Sequence, residues 1–501
     1  MQNKALLLLT ECLFVIIGSQ AQSPDHKFYP KPELTSKIVK LQQERVPFKP
    51  KKSLSATALP VSVDNSIKKY FPPIIDQLGG SCAQASGIGY MFTYEMNRLL
   101  DRDAKASKDN QFSYQFSWNM LNGGQNEGGF VEEGLNLAKN YGMMTLQDYG
   151  TSGTYQFRWA SGYDKYLKAM QYRSKEVYIF NDSVPLMKRY LYDAGDGSEV
   201  GGILTFSGQS SWTINNNYSG PSATGYHSLL TKLGTSGSHA VTIAGYDDLV
   251  TYTDDNGMEH KGAFIVVNTW GTYSHDNGRF YLPYDFFRDP NISNIQLSNT
   301  VVGVKVCTYT PQVVFRVTLD FSSRDDLYFG MNTTDDVSST AAKSYHYYNT
   351  FFQQGGDYPM QGQSLSSSIE LAFDITPYLP ASGTSYKKYF FNVVKSYHGN
   401  QKGSGRLLKL SVIDYRGKEP VEYTCSDELP CDLKDGANIF SVPIRDYTVG
   451  VSPYKYIDAT GNPTEGTFLM KTGKGNKAKI RFTNQDTEKQ TISIRYQVRT
   501  K

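Results

Sequence analysis

Within Ser81–Leu100, apolar residues fall at Ile88, Met91, Phe92, Met96 and Leu99. That is the spacing of a helix burying one face, with Gly87 and Gly89 as local weak points. Further helices are expected over Phe130–Tyr141, stopped by Gly142, over Val184–Asp193, and briefly around Leu34–Glu44. The apolar run Gly201–Phe206 suits a strand. From Ala240 the period changes, and Val241–Tyr246, Ala263–Asn268 and Gly278–Leu282 read as strands between turn residues. Helices first and an antiparallel sheet second make an α+β domain with two lobes. Thr308–Gln312, containing Pro311, reads as a linker. Beyond it, residues 312–501 alternate in runs such as Val313–Phe321, Ser368–Phe373, Tyr389–Val394, Leu407–Asp414 and Thr491–Val498. With turn clusters between them and no long helical pattern, this region is expected to be an all-β sandwich or jelly roll.

Length and composition refine this picture. A chain of 501 residues suits two or three domains, and 37 Tyr with 26 Phe accord with many strands. A net charge of +3 gives no global basic surface, which argues against a nucleic-acid partner. At the N-terminus, Lys4 precedes the apolar runs Ala5–Leu9 and Leu13–Gly18, and Ser19-Gln20-Ala21 offers small residues before a cleavage after Ala21. Residues 1–21 therefore read as a signal peptide, too short and interrupted to span a bilayer. No other transmembrane candidate is present. The expectation is an exported protein: secreted, periplasmic or at a cell surface, in the style of a bacterial enzyme. Residues 22–58, polar and rich in Lys and Pro, read as a pro-segment or linker.

Four cysteines remain in the mature chain. Cys425 and Cys431 flank a five-residue polar loop and could close a small disulfide, although their spacing equally suits two free thiols. Cys307 lies in an apolar run and is expected to be buried. Cys82 stands where a loop, Gly79-Gly80-Ser81, meets the first helix. Unpaired N–H groups and the macrodipole favour a thiolate at a helix start, whereas a small buried residue would pack there equally well. No metal site or cofactor is indicated.

The surroundings decide between those readings. Gln77-Leu78-Gly79-Gly80-Ser81-Cys82 resembles the nucleophile segment of papain-like cysteine peptidases, and Leu59-Pro60-Val61-Ser62-Val63-Asp64 resembles their mature N-terminus. Ser238-His239-Ala240-Val241 with Gly245-Tyr246, and Asn268-Thr269-Trp270-Gly271 with Asn277-Gly278, are similar to the family's histidine and asparagine blocks, in the family's order. The interval from Cys82 to His239 is near the roughly 130–150 residues usual there. The resemblance covers about residues 59–308. It implies a two-lobed papain-like domain with Cys82 as nucleophile, His239 as base and Asn268 orienting the imidazole. By the same resemblance Trp270 covers the His–Asn hydrogen bond, and Gln77 with the Cys82 N–H forms the oxyanion hole. Gly128 and Gly129 would pair with an extended peptide, and Ala240 would line a neighbouring subsite.

The sequence also departs from the family. Gln77 is one position nearer the nucleophile than usual, Ala83 replaces a tryptophan, the family's disulfides are missing, and residues 22–58 are short for an inhibitory propeptide. The expected function is an exported cysteine endopeptidase acting on peptide or protein substrates. An aminopeptidase or amidase with the same triad, and a catalytically impaired binding or adhesion protein, are the alternatives. Aromatic clusters such as Tyr345-His346-Tyr347-Tyr348 and Tyr397-His398 leave open a carbohydrate or surface ligand for the C-terminal region.

Overall fold

The computed structural model describes residues 27–30, 32–54, 58–208, 211–233, 237–288, 301–348, 352–380, 386–399, 402–444, 467–471, 477–486 and 491–499. The expected signal peptide, 1–21, lies outside them. No helix among the described residues is long and apolar enough to cross a membrane. The chain divides into two compact units, Met1–Pro443 and Ile444–Lys501. The second contains an antiparallel sheet of Thr467–Lys471, Lys477–Asp486 and Thr491–Arg499. The single C-terminal domain expected over 312–501 is therefore divided, because its first two-thirds pack with the residues before them.

The first unit is organised around a central helix, running from Cys82–Gln84 through a π-helical stretch, Ala85–Phe92, into Thr93–Leu100. The expected one-sided burial is wrong in detail. Every residue from Cys82 to Asn97 is buried, whereas Leu99 is 52% exposed. The helix has protein on all sides, so its period carries no solvent face until the last turn, where Asp101 in the left-handed region ends it. Val131–Tyr141 and Val184–Asp193 form helices where expected, the former closed by Gly142 at φ 85°.

Facing these helices is a sheet with the strand order Val46–Pro47, Tyr172–Ile179, Val302–Thr308, Leu204–Gly208, His239–Thr253, Glu259–Val267, Arg279–Pro283, Leu229–Leu233 and Trp212–Asn215; Ser62–Asp64 pairs alongside His239–Thr253. His239–Thr253 lies in the middle of this order. It pairs with Leu204–Gly208 on one side, Gly208 opposite His239, and with Glu259–Val267 on the other, Thr242 opposite Val267. This register sets the start of one strand beside the end of the next. His239 therefore lies near Asn268, the residue that follows Val267.

Residues 22–58, expected as a pro-segment or linker, include structural elements. Ser36–Gln43 is a helix capped by the Thr35 side chain. Val46–Pro47 pairs in parallel with Tyr178–Ile179, and the Phe48 N–H donates to the Ile179 carbonyl at 2.9 Å. Phe48 is buried in the core, stacked on Phe180 and edge-on to Tyr190. The low hydropathy of this segment concealed one large apolar anchor.

Beyond the linker, one sheet contains Ser368–Asp374, Val313–Phe321, Gly405–Asp414, Val421–Thr424 and Cys431–Asp432. A second contains His346–Tyr347, Leu327–Thr334, Lys388–Lys395 and Gly436–Pro443. They meet through Phe315 and Phe373 of the first and Phe329 and Phe391 of the second, with ring centroids 5.1–5.3 Å apart across the layers. The two-sheet region is docked on the helical lobe by buried polar contacts. Arg324 lies over the Trp159 ring and donates to the carbonyls of Phe157 and Gly355. Arg173 pairs with Asp374 at 3.3 Å. Gly124 and Gly356 approach so closely that a Cβ on either would fall under 3 Å from the other's backbone. Tyr348, in one of the aromatic clusters considered for ligand binding, is instead buried, its hydroxyl donating to the Asp374 carbonyl. Cys425 and Cys431 are free thiols, so the small disulfide does not form; the Cys425 thiol instead lies 3.5 Å from the Asp427 carboxylate. Cys307, expected to be buried, is partly exposed near the end of its strand.

Candidate active site

Cys82 is the first residue of the central helix and is 8% exposed. The turn before it needs its glycines. Gly79 adopts φ 55°, where a Cβ would strike Asn126, and a Cβ on Gly80 would lie 2.6 Å from the Glu127 carbonyl carbon. The Asn126 side chain accepts from the Gly80 N–H at 2.9 Å. The loop before Cys82 and the loop of Asn126, Gly128 and Gly129 are thus joined, through a residue, Asn126, that no sequence motif marks. Burial pushes the Cys82 thiol pKa up, while hydrogen bonds from the backbone at Ala240, Ala83 and Cys82 itself pull it down. The Ala240 contact brings the strand of His239 against the thiol. Ser86 reinforces it by donating to the Ala240 carbonyl at 2.9 Å.

His239 opens its strand and is fully buried, with Nε2 2.8 Å from Asn268 Oδ1. That oxygen also accepts the Thr269 N–H at 2.8 Å. Because a backbone amide can only donate, this contact fixes which end of the Asn268 amide is oxygen. His239 Nε2 must then donate, leaving Nδ1 as its basic nitrogen. The Trp270 ring stacks on the imidazole, centroids 4.6 Å apart and planes at 27°, and Trp212 lies 5.3 Å away on another strand. Trp212 was not foreseen, having no neighbouring motif to mark it. The structure thus brings Cys82, His239, Asn268 and Trp270 to one place, with Cys82 at the start of the central helix, His239 at the start of a strand and the other two in the loop after Val267.

Gln77 is buried in the loop before Cys82. Its amide nitrogen donates to the Gly79 carbonyl at 2.6 Å, and its oxygen accepts the Thr269 hydroxyl. One of its two N–H donors is therefore used within the shortened loop. Gly128 and Gly129 line a cavity of about 410 Å³ with Phe130, Glu133, Lys37, Gln354 and His398. Ala240, expected beside a subsite, is buried, and its observed contacts are made by its backbone.

The N-terminal segment crosses this site. Phe28 packs edge-on against His239, Trp270 and Trp212 at 5.3–5.8 Å. The Tyr29 carbonyl accepts the Ser238 N–H at 2.7 Å, and Pro32 lies about 4 Å from where a Gly128 Cβ would be. No metal-binding cluster of His, Cys, Asp or Glu occurs among the described residues.

No protein-family model and no curated protein matches the sequence. Solved structures do resemble it. Xylellain, a cysteine protease from Xylella fastidiosa, is 19% identical, and the match covers 56% of this chain and 95% of that one with a TM-score of 0.38. Procathepsin B S9 from Trypanosoma congolense is 16% identical over 56% of this chain and 87% of its own, TM-score 0.38. The bromelain protease from Ananas comosus, solved with the E64 inhibitor, is 16% identical over 49% and 99%, TM-score 0.32.

Proposed function

We propose that the chain is an exported cysteine endopeptidase in which Cys82, His239 and Asn268 form the catalytic triad. The observation that carries this reading is the His239–Asn268 hydrogen bond of 2.8 Å, which leaves Nδ1 as the basic nitrogen, while the next residue, Ala240, bonds through its backbone to the Cys82 thiol at a helix start. In the reaction, His239 Nδ1 takes the Cys82 thiol proton and the thiolate sulfur attacks the scissile carbonyl carbon. The C–N bond then breaks, the amine leaves with the proton from His239, and a thioester remains. Water, deprotonated by the same imidazole, hydrolyses the thioester and returns the thiol. The Cys82 backbone N–H and the second N–H of Gln77 are the donors proposed for the oxyanion.

Residues 27–30 act here as a covering segment: with Phe28 against His239 and Tyr29 paired to Ser238, a substrate cannot occupy the same positions. Once they leave, a peptide would extend past Gly128 into the cavity beside Glu133 and Gln354. Export rests on the sequence of residues 1–21 alone.

Labelling with an epoxysuccinyl reagent or iodoacetamide tests the triad. Rapid modification of Cys82 at mildly acidic pH is expected, lost in His239→Ala and accelerated in Phe28→Ala/Tyr29→Ala. Slow labelling indifferent to His239 would overturn the reading. Cleavage of N-blocked peptides is expected too; activity confined to free amino termini would reject the endopeptidase assignment.

A further inference from the structure

Asn268 makes a contact that the triad reading does not use. Its side-chain nitrogen Nδ2 lies 3.1 Å from Nε2 of His275, seven residues along the same loop. The chemistry of this contact follows from its neighbours. Asn268 Oδ1 accepts from both the Thr269 N–H and His239 Nε2, so Nδ2 must face His275, and an NH₂ group can only donate. His275 Nε2 therefore accepts, and its proton resides on Nδ1. The fold holds the ring in that position. His275 adopts φ 52°, the Asp276 carboxylate next to it turns away to accept the His227 N–H at 3.0 Å, and Phe280 packs edge-on to the imidazole at 5.2 Å. Burial lowers its pKa to about 4, which keeps the ring neutral and able to accept.

Resting on the proposed triad, we infer that His275 is a positioning residue: by accepting from Asn268 Nδ2 it fixes the amide with its oxygen towards His239. The Thr269 N–H holds the amide at Oδ1 and His275 holds it at Nδ2; without His275 it is held at one end only, and when its NH₂ turns towards His239 it repels the Nε2–H that the imidazolium must keep. The catalytic histidine would then be less basic as well as less well aimed.

Two measurements on the full chain test this. Histidine-selective ¹⁵N NMR, with the resonance assigned by its loss in His275→Gln, should show the Nδ1–H tautomer for His275 near neutral pH. An Nε2–H tautomer would overturn the contact, whether or not the protein hydrolyses anything. The second is the pH dependence of Cys82 alkylation. His275→Ala should lower the rate about 10- to 100-fold and move the alkaline limb to lower pH. His275→Gln, which restores an acceptor oxygen, should recover most of the rate and the limb. An unmoved limb, or Ala and Gln variants that behave alike, would reduce His275 to a packing residue. A wild type whose labelling is independent of His239 would sink the triad itself, and the tautomer would still decide the His275–Asn268 contact.

Discussion

At the scale of single residues, the site depends on hydrogen-bond polarity more than on proximity. The Thr269 N–H fixes the Asn268 amide, the amide fixes the His239 tautomer, and Trp270 stacks on the imidazole. Trp270→Ala is expected to lower kcat/KM about tenfold, roughly 1.4 kcal/mol of transition-state stabilisation, with little change in melting temperature; peptide hydrolysis and a thermal scan on the same sample check this. His275 also makes stability depend on pH. Its folded pKa of about 4 is below the ordinary histidine value, so the unfolded chain binds the extra proton. The stabilisation is complete above about pH 6.5 and is lost as pH falls through about 4. Urea titrations across that window should show the decline, and His275→Gln should flatten its part.

At the scale of elements, the N-terminal segment has two roles with different attachments. Phe28 and Tyr29 lie against His239, Trp270 and Ser238 and cover the candidate site, whereas Ser36–Gln43 and Val46–Pro47 belong to the body of the fold. The Arg45–Glu132 ion pair, at 3.0 Å and largely buried, and Phe48 in the core secure the second part. Phe48→Ala is expected to cost about 3–5 kcal/mol, measurable by denaturant titration. A chain beginning at Ser36 should fold with an open cleft. One beginning at Leu59 leaves a Phe-sized cavity and strips an edge strand from the sheet, so it should be markedly less stable.

At the scale of the whole first unit, the helical lobe and the two-sheet region depend on each other. Arg173 and Asp374 are both almost fully buried, and Arg173 also donates to the Met170 and Lys139 carbonyls. Arg173→Ala strands a buried carboxylate and should cost about 3–5 kcal/mol, while replacing both partners by apolar residues should cost much less. A fragment ending at Thr308 would expose Trp159, which now lies under Arg324. Such a fragment is expected to aggregate or melt well below the full chain in calorimetry.

Much of this was legible in the sequence because it was local. Helix stops such as Gly142, the strand periodicity after Ala240, and the motif neighbours of Cys82, His239 and Asn268 each declare themselves within a few residues. The sequence could place those three residues in order along the chain, and the resemblance could give them roles. Only the tertiary structure decided what depends on distant contacts. Phe48 is a single apolar residue in a polar stretch, so no period revealed its burial. Leu99 shares the helical period of its neighbours and yet faces solvent, because the end of the central helix leaves the protein interior. Cys425 and Cys431 are near in sequence and remain unbonded. His275 has no motif, and its contact with Asn268 needs a left-handed residue and a folded turn. The chain thus specified its chemistry residue by residue, while the fold determined which donor faces which acceptor, since hydrogen-bond direction is a property of positions in space.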